Sequence, residues 1–168
     1  IFSIAGDTIV TLSGFTITNG LNDNGGGIYI DTDDTSNICL SDLIITGNTA
    51  NGSPPYNGVG GGIYCKNSNI TITDVIISNN IAQSGAGIYS NASNVHIENV
   101  TVDSNVATVK AQLRLENYTS GHLMNVIVSN SGVGTWGIYG IYLKDHSSPS
   151  LNNVQILHSN GISMHSHC

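Results

Sequence analysis

Apolar and polar residues alternate along this chain with a period of two, in short runs rich in Ile, Val and Thr and broken by Gly, Asn, Asp or Ser. That period predicts half-buried strands rather than helices. In Gly60–Asn80, Ile70 and Ile72 point one way and Thr71 the other. Asp74 breaks the run, and Val75 and Ile77 form a second inward pair around Ile76. Ile63 and Cys65 form a third around Tyr64.

The stretch recurs. Gly25–Ile30 with Ser36–Asn48 precedes it, and Gly85–Ser90 with Ser93–Asn105 follows. Aligned copies give columns. One inward strand starts at Phe15, Leu43, Val75, Val100, Val126 and Val154, at intervals of 28, 32, 25, 26 and 28 residues by subtraction. Just before each start stands Gly14, Asp42, Asp74, Asn99, Asn125 or Asn153, a turn position suited to left-handed backbone. A second inward column reads Leu12, Leu40, Ile72, Ile97, Leu123 and Leu151. A third reads Phe2, Ile28, Ile63, Ile88, Leu113, Ile141 and Ile162.

A single copy cannot bury its apolar face, whereas stacked copies bury a continuous column. The prediction is an all-β fold: a single-stranded parallel β-helix of six to seven turns with three short strands each. At the usual strand spacing it is roughly 30 Å long. Residues 1–168 suit one domain, an excerpt or processed form of a longer surface protein.

Outward positions carry the candidate chemistry. Tyr29, Tyr64, Tyr89, Arg114, Tyr142 and Ser163 fall in one column. The column predicts a stacked ladder with Arg114 between two rings, and an aromatic row of this kind can also face sugar rings. Another column, Thr16, Ile44, Ile76, Thr101, Ile127 and Gln155, puts three Ile on an outer face that calls for a cover. His96 and His122 lie on adjacent turns. The long insertion Thr49–Val59 carries Tyr56, a further binding candidate because loops on rigid scaffolds often bind. Asp31, Asp33 and Asp34 crowd one corner loop, an oxygen-rich arrangement suited to Ca²⁺ but lacking EF-hand spacing; a solvated turn is the simpler reading.

The net charge of −7 and only four basic residues leave no groove for a phosphate backbone, which argues against nucleic acid. No apolar run is long enough for membrane insertion of this segment. The Asn, Thr, Ser and Gly surface suits an extracellular or cell-surface protein. Sequons stand at Asn51, Asn69, Asn91, Asn99 and Asn117. By column, Cys39 points outward and Cys65 inward, so the two should not bond, and Cys168 ends the chain.

The pairing of GGGIY or GAGIY with an apolar strand ending in Asn (ITGN, ISNN, VDSN, IVSN) resembles the repeats of polymorphic outer-membrane proteins and related pectin-lyase-like surface proteins. It covers most of residues 7–160, with Ile or Val where that family usually has Phe, except at Phe15–Asn19. The resemblance implies a right-handed β-helix, adhesion or surface display with no cofactor, and as partners a glycan or a protein of a host or neighbouring cell surface. The competing expectation is a polysaccharide-active lyase or glycoside hydrolase, or a carbohydrate-binding module. Catalysis needs clustered outward carboxylates, and Asp42 with Asp74 is the best pair on offer. Their column continues as Asn99, Asn125 and Asn153, which reads as turn chemistry. The balance therefore leans away from an enzyme. The repeat begins mid-turn at Phe2 and still runs at Ile162, so self-association through open β-helix ends into a filament is a further expectation.

Overall fold

A computed structural model describes residues 1–6, 8–32, 36–53, 58–131 and 136–165. The strand pairs along the predicted columns are parallel and join the predicted residues, with one irregularity between Val109 and Ala111. The chain is a parallel β-helix.

One face is a seven-strand sheet: Phe2–Ala5, Ile28–Asp31, Ile63–Lys66, Ile88–Asn91, Val109–Glu116, Trp136–Lys144 and Ile162–His165. The second bends around the predicted turn position. There the chain passes from strands such as Asn69–Thr73 into strands such as Ile76–Ser78. Asp42, Asp74, Asn99, Asn125 and Asn153 all have φ between 50° and 56° there, and Gly14 has 82°. The column is thus a run of left-handed corners, where short polar side chains cost least.

A third, short face was not visible in the alternation. Leu21–Asn22, Thr49–Ala50, Ile81–Ala82 and Val106–Ala107 form a four-strand sheet. Each turn of this region therefore has four strands instead of three, because a two-residue strand is too short to display a period. Among the described residues the rungs number seven on the first face and four on this one. Ala50, Ala82 and Ala107 point inward from it and pack with Ala86 as a small core of their own.

The main core is the stack of inward Ile, Leu and Val columns, with Ile28, Ile63, Ile88, Leu113 and Ile141 fully buried. At the terminal rungs the expected burial fails: Phe2, Phe15, Leu151 and Ile162 are each about two-fifths exposed (40%, 38%, 40% and 41%). An inward side chain is covered by the rungs above and below it, and a terminal rung has only one of these.

Within the GGG and GAG corners, the first residue of each takes φ of 65°, 68° or 56° (Gly25, Gly60, Gly85). The third lies against the next turn: a Cβ on Gly27 would stand 2.7 Å from the Gly62 carbonyl oxygen. Only a residue without a side chain fits so close a backbone approach.

Candidate functional site

The predicted outer column assembles. Tyr29 pairs with Tyr64, Tyr64 with Tyr89, Tyr89 with Arg114, and Arg114 with Tyr142. Tyr29 and Tyr64 stack at 5.1 Å between ring centroids, and Tyr64 and Tyr89 at 5.5 Å, with planes within 10° of parallel. The Arg114 guanidinium lies between Tyr89 and Tyr142, 5.3 and 5.5 Å from their centroids. Lys110 Nζ lies 4.9 Å from the Tyr142 centroid, and His165 packs against the same ring at 5.2 Å. Each cation over a ring contributes about 0.5–2 kcal/mol, more as it is desolvated.

This column is far less exposed than an outward row implies. Tyr89 is 7% and Tyr142 2% exposed, and Tyr64 has a ring on either face. Neighbouring side chains engage the rings: Asp31 takes the Tyr29 hydroxyl, Asn91 and Glu116 bond the Tyr89 hydroxyl, and Arg114, Lys110 and His165 pack on Tyr142. Asp31 accepts from Lys66 at 3.4 Å and from the Tyr29 hydroxyl at 3.3 Å. The Tyr89 hydroxyl and Arg114 both donate to Glu116. Burial pushes the Glu116 carboxyl up to about 7, with Lys144 pulling it down and Asp145 adding to the rise. Burial likewise raises the Tyr29 and Tyr64 hydroxyls and lowers the Arg114 guanidinium. The sequence did not single out Glu116. Its signal was a carboxylate two residues beyond the one Arg in the Tyr column.

The other candidates are dispersed. Asp42 and Asp74 occupy neighbouring rungs, and Asp74 belongs to an exposed amide ladder in which Asn99 donates to Asp74 (3.1 Å), Asn125 to Asn99 (3.0 Å) and Asn153 to Asn125 (2.9 Å). His96 and His122 meet edge to face at 4.0 Å, and His96 also contacts Glu98 at 3.4 Å. Among the described residues no three His, Cys, Asp or Glu gather to hold a metal. Asp31 is engaged by Lys66, while Asp33, Asp34, Tyr56 and Cys168 lie outside the described residues. Cys39 and Cys65 are free thiols, and burial pushes Cys65 up to about 11. The predicted Ile row stands exposed at Ile44, Ile76 and Ile127. A second apolar row, Leu21, Ile81 and Val106, lies on the short face.

The Asn that ends each repeat is buried in a ladder. Asn48 Nδ2 donates to Asn80 Oδ1, Asn80 Nδ2 to Asn105 Oδ1, and Asn105 Nδ2 to Gln112 Oε1, each at 2.9 Å. The same acceptors take the backbone N–H groups of Asn48, Asn80 and Asn105. The fourth motif, IVSN, does not extend the ladder. Asn130 is exposed, in the left-handed region at φ 50°, and Ser131 follows it. Gln112 supplies the missing amide from the neighbouring strand and donates to the Ser129 carbonyl (2.6 Å) and to Ser131 Oγ (3.0 Å).

A second buried column, Ser36, Ser68, Ser93, Thr119 and Ser147, lines the corner after the Tyr face. Ser68 N donates to Ser93 Oγ, Ser93 N to Thr119 Oγ1, and Thr119 N to Ser147 Oγ. Before this column the corner is one residue long at Asn67 and Ala92, but two at Asn117–Tyr118 and Asp145–His146. The longer corners carry Tyr118, 72% exposed, whose ring stacks on His146 at 5.0 Å and 14°.

Residues 1–168 match the family model described as "Right handed beta helix region". No curated protein and no solved structure matches the chain.

Proposed function

We propose that this chain, which belongs to the right-handed β-helix family, serves as a non-enzymatic structural and adhesive module of an extracellular or cell-surface protein. The observation that carries the reading is the fate of Asp42 and Asp74. The best candidate acid pair sits in a left-handed corner column, and Asp74 takes the Asn99 amide as one rung of a polar ladder. Catalysis by paired carboxylates needs them converging on a substrate from one cleft. The Tyr face supports the same reading, because its rings are spent on one another and on Arg114. The repeat motif's likeness to polymorphic outer-membrane proteins favours surface display, as does a surface with few charges.

Partners on this reading are a glycan or a protein of a neighbouring surface. Self-association is a second contact mode. Phe2, Leu151, Ile162 and Met164 lie exposed on the terminal rungs, where a further rung of the same chain or of another copy would cover them. Concentration-dependent growth in sedimentation supports stacking of copies, and a monodisperse monomer removes it.

Incubation with acidic and neutral polysaccharides tests the central proposal. The expected result is no new reducing ends and no unsaturated products. Turnover that disappears in Asp42→Asn or Asp74→Asn would replace the module with an enzyme.

A further inference from the structure

The change in corner length makes a step on the outer surface. Where one-residue corners at Asn67 and Ala92 give way to Asn117–Tyr118, the added residue carries the Tyr118 ring outward past the rungs before it. Both corner residues hold left-handed backbone, φ 53° and 62°, and so do Asp145 and His146 at 51° and 62°. The step borders an open cavity of about 400 Å³, lined by Asn69, Ala92, Asn94, Asn117, Tyr118 and Ser120 among others. Tyr118 lines this cavity, and its ring is backed on one face by His146.

The cavity wall also carries polar groups at fixed spacing. Asn69 Nδ2 donates to Asn37 Oδ1 (2.8 Å), Asn94 Nδ2 to Asn69 Oδ1 (3.3 Å), and Ser120 Oγ to Asn94 Oδ1 (3.3 Å). These bonds run along the helix axis from rung to rung. A primary amide has two N–H donors and two acceptor lone pairs. In this ladder Asn69 and Asn94 each spend one donor, and the remaining N–H and lone pair are available to a ligand. Adjacent donor and acceptor on a rigid amide match neighbouring hydroxyl groups, and a supported aromatic face matches the C–H face of a pyranose ring. Among the described residues no Lys, Arg, Asp or Glu lines the cavity. That disfavours phosphate, cations and acidic sugars, which require charge neutralisation.

We propose that this corner step is a binding site for a neutral, hydroxyl-rich saccharide, with Tyr118 as the stacking platform and Asn69 and Asn94 as the hydroxyl readers. It rests on the adhesive reading only in taking the ligand to be held and not cleaved. The Tyr29–Tyr142 column is a poorer platform for the same ligand, since its ring faces are already occupied.

The test uses the 168-residue protein from a non-glycosylating host, because Asn69 and Asn117 both head sequons. Calorimetric titration with cellohexaose, laminarihexaose, maltohexaose and, as the acidic comparison, hexagalacturonate gives the affinities. At least one neutral hexasaccharide should bind saturably, Tyr118→Ala should weaken it about tenfold or more, and Tyr118→Phe should keep it within about twofold. Absence of saturable binding by every neutral sugar, binding of the acidic one alone, or unchanged affinity in Tyr118→Ala would overturn the site. Circular dichroism of Tyr118→Ala should match the parent, since the side chain is exposed. Chromatography of the recovered sugar separates the two proposals. Cleaved sugar contradicts the non-enzymatic reading and leaves the site standing, whereas absence of binding removes the site and leaves the scaffold reading.

Discussion

The rungs from Gly20 to Ala107 and those from Val109 onward share the same columns, yet they satisfy the buried corner differently. In the first region each Asn carries the next: Asn48, Asn80 and Asn105 sit at equivalent positions, fully buried, and each Oδ1 of Asn80 and Asn105 accepts both an amide and a backbone N–H. In the second region the equivalent position is Ser131, too short for the role, and Gln112 reaches in from the Tyr face instead. The same rung puts Lys110 in left-handed backbone at φ 76°, where earlier rungs have Gly85, Gly60 and Gly25. It also puts Arg114 in the Tyr column and lengthens the next corner to bring out Tyr118. Where the repeat is regular, polar groups are spent on one another. Departures from it collect cations, a buried carboxylate and an exposed ring.

The largest expected effect is on the regular ladder. Asn80→Leu keeps the volume but removes acceptors for Asn48 and the donor to the Ile45 carbonyl, leaving several buried groups unpaired. A loss of about 3–5 kcal/mol in urea unfolding is expected. Gln112→Ala attacks the repaired rung. It strands the Asn105 backbone N–H and one side-chain donor, while Asn105 Nδ2 keeps the Ile77 carbonyl, so about 2–3 kcal/mol is expected. Equal losses in the two variants would mean that the repair is no weaker than the ladder.

The ladder's role was legible in the sequence only in part. Asn48, Asn80 and Asn105 recur at strand ends and were readable as structural, and the left-handed corners at Asp42, Asp74 and Asn99 follow directly from small polar residues at one repeated position. Gln112 was not readable, because its contact with Asn105 depends on how the chain folds back between the short face and the Tyr face. The depth of Tyr89 and Tyr142 was hidden too. Alternation says which way a side chain points, and the neighbouring side chains decide whether it meets water. Tyr118 left a trace in two residues between Glu116 and Thr119, where the two preceding copies have one, visible only once Ser93 and Thr119 are aligned by their hydrogen bonds.

A smaller effect separates the regions by pH. Glu116 is raised to about 7 by burial from an ordinary value of 4.5, so folding favours its protonated form. Its contribution to stability is full below about 4.5 and is lost as pH rises through about 7. Allowing for Arg114 and residual solvent, the loss is about 1–2 kcal/mol. Glu116→Gln should flatten that slope in urea unfolding between these pH values, and an unchanged slope would assign the dependence to another group. Asp74→Asn, in the exposed corner ladder, should change stability by less than about 0.5 kcal/mol.

Native-state hydrogen exchange, followed residue by residue by NMR, tests most directly the claim that buried amide ladders hold the helix and that the long corners stand outside them. The backbone N–H groups of Asn48, Asn80 and Asn105 should exchange among the slowest in the protein, at rates set by global unfolding. Those of Asn117 and His146, on the two-residue corners, should exchange orders of magnitude faster. Corner amides as protected as the ladder, or ladder amides opening independently of global unfolding, would contradict the account.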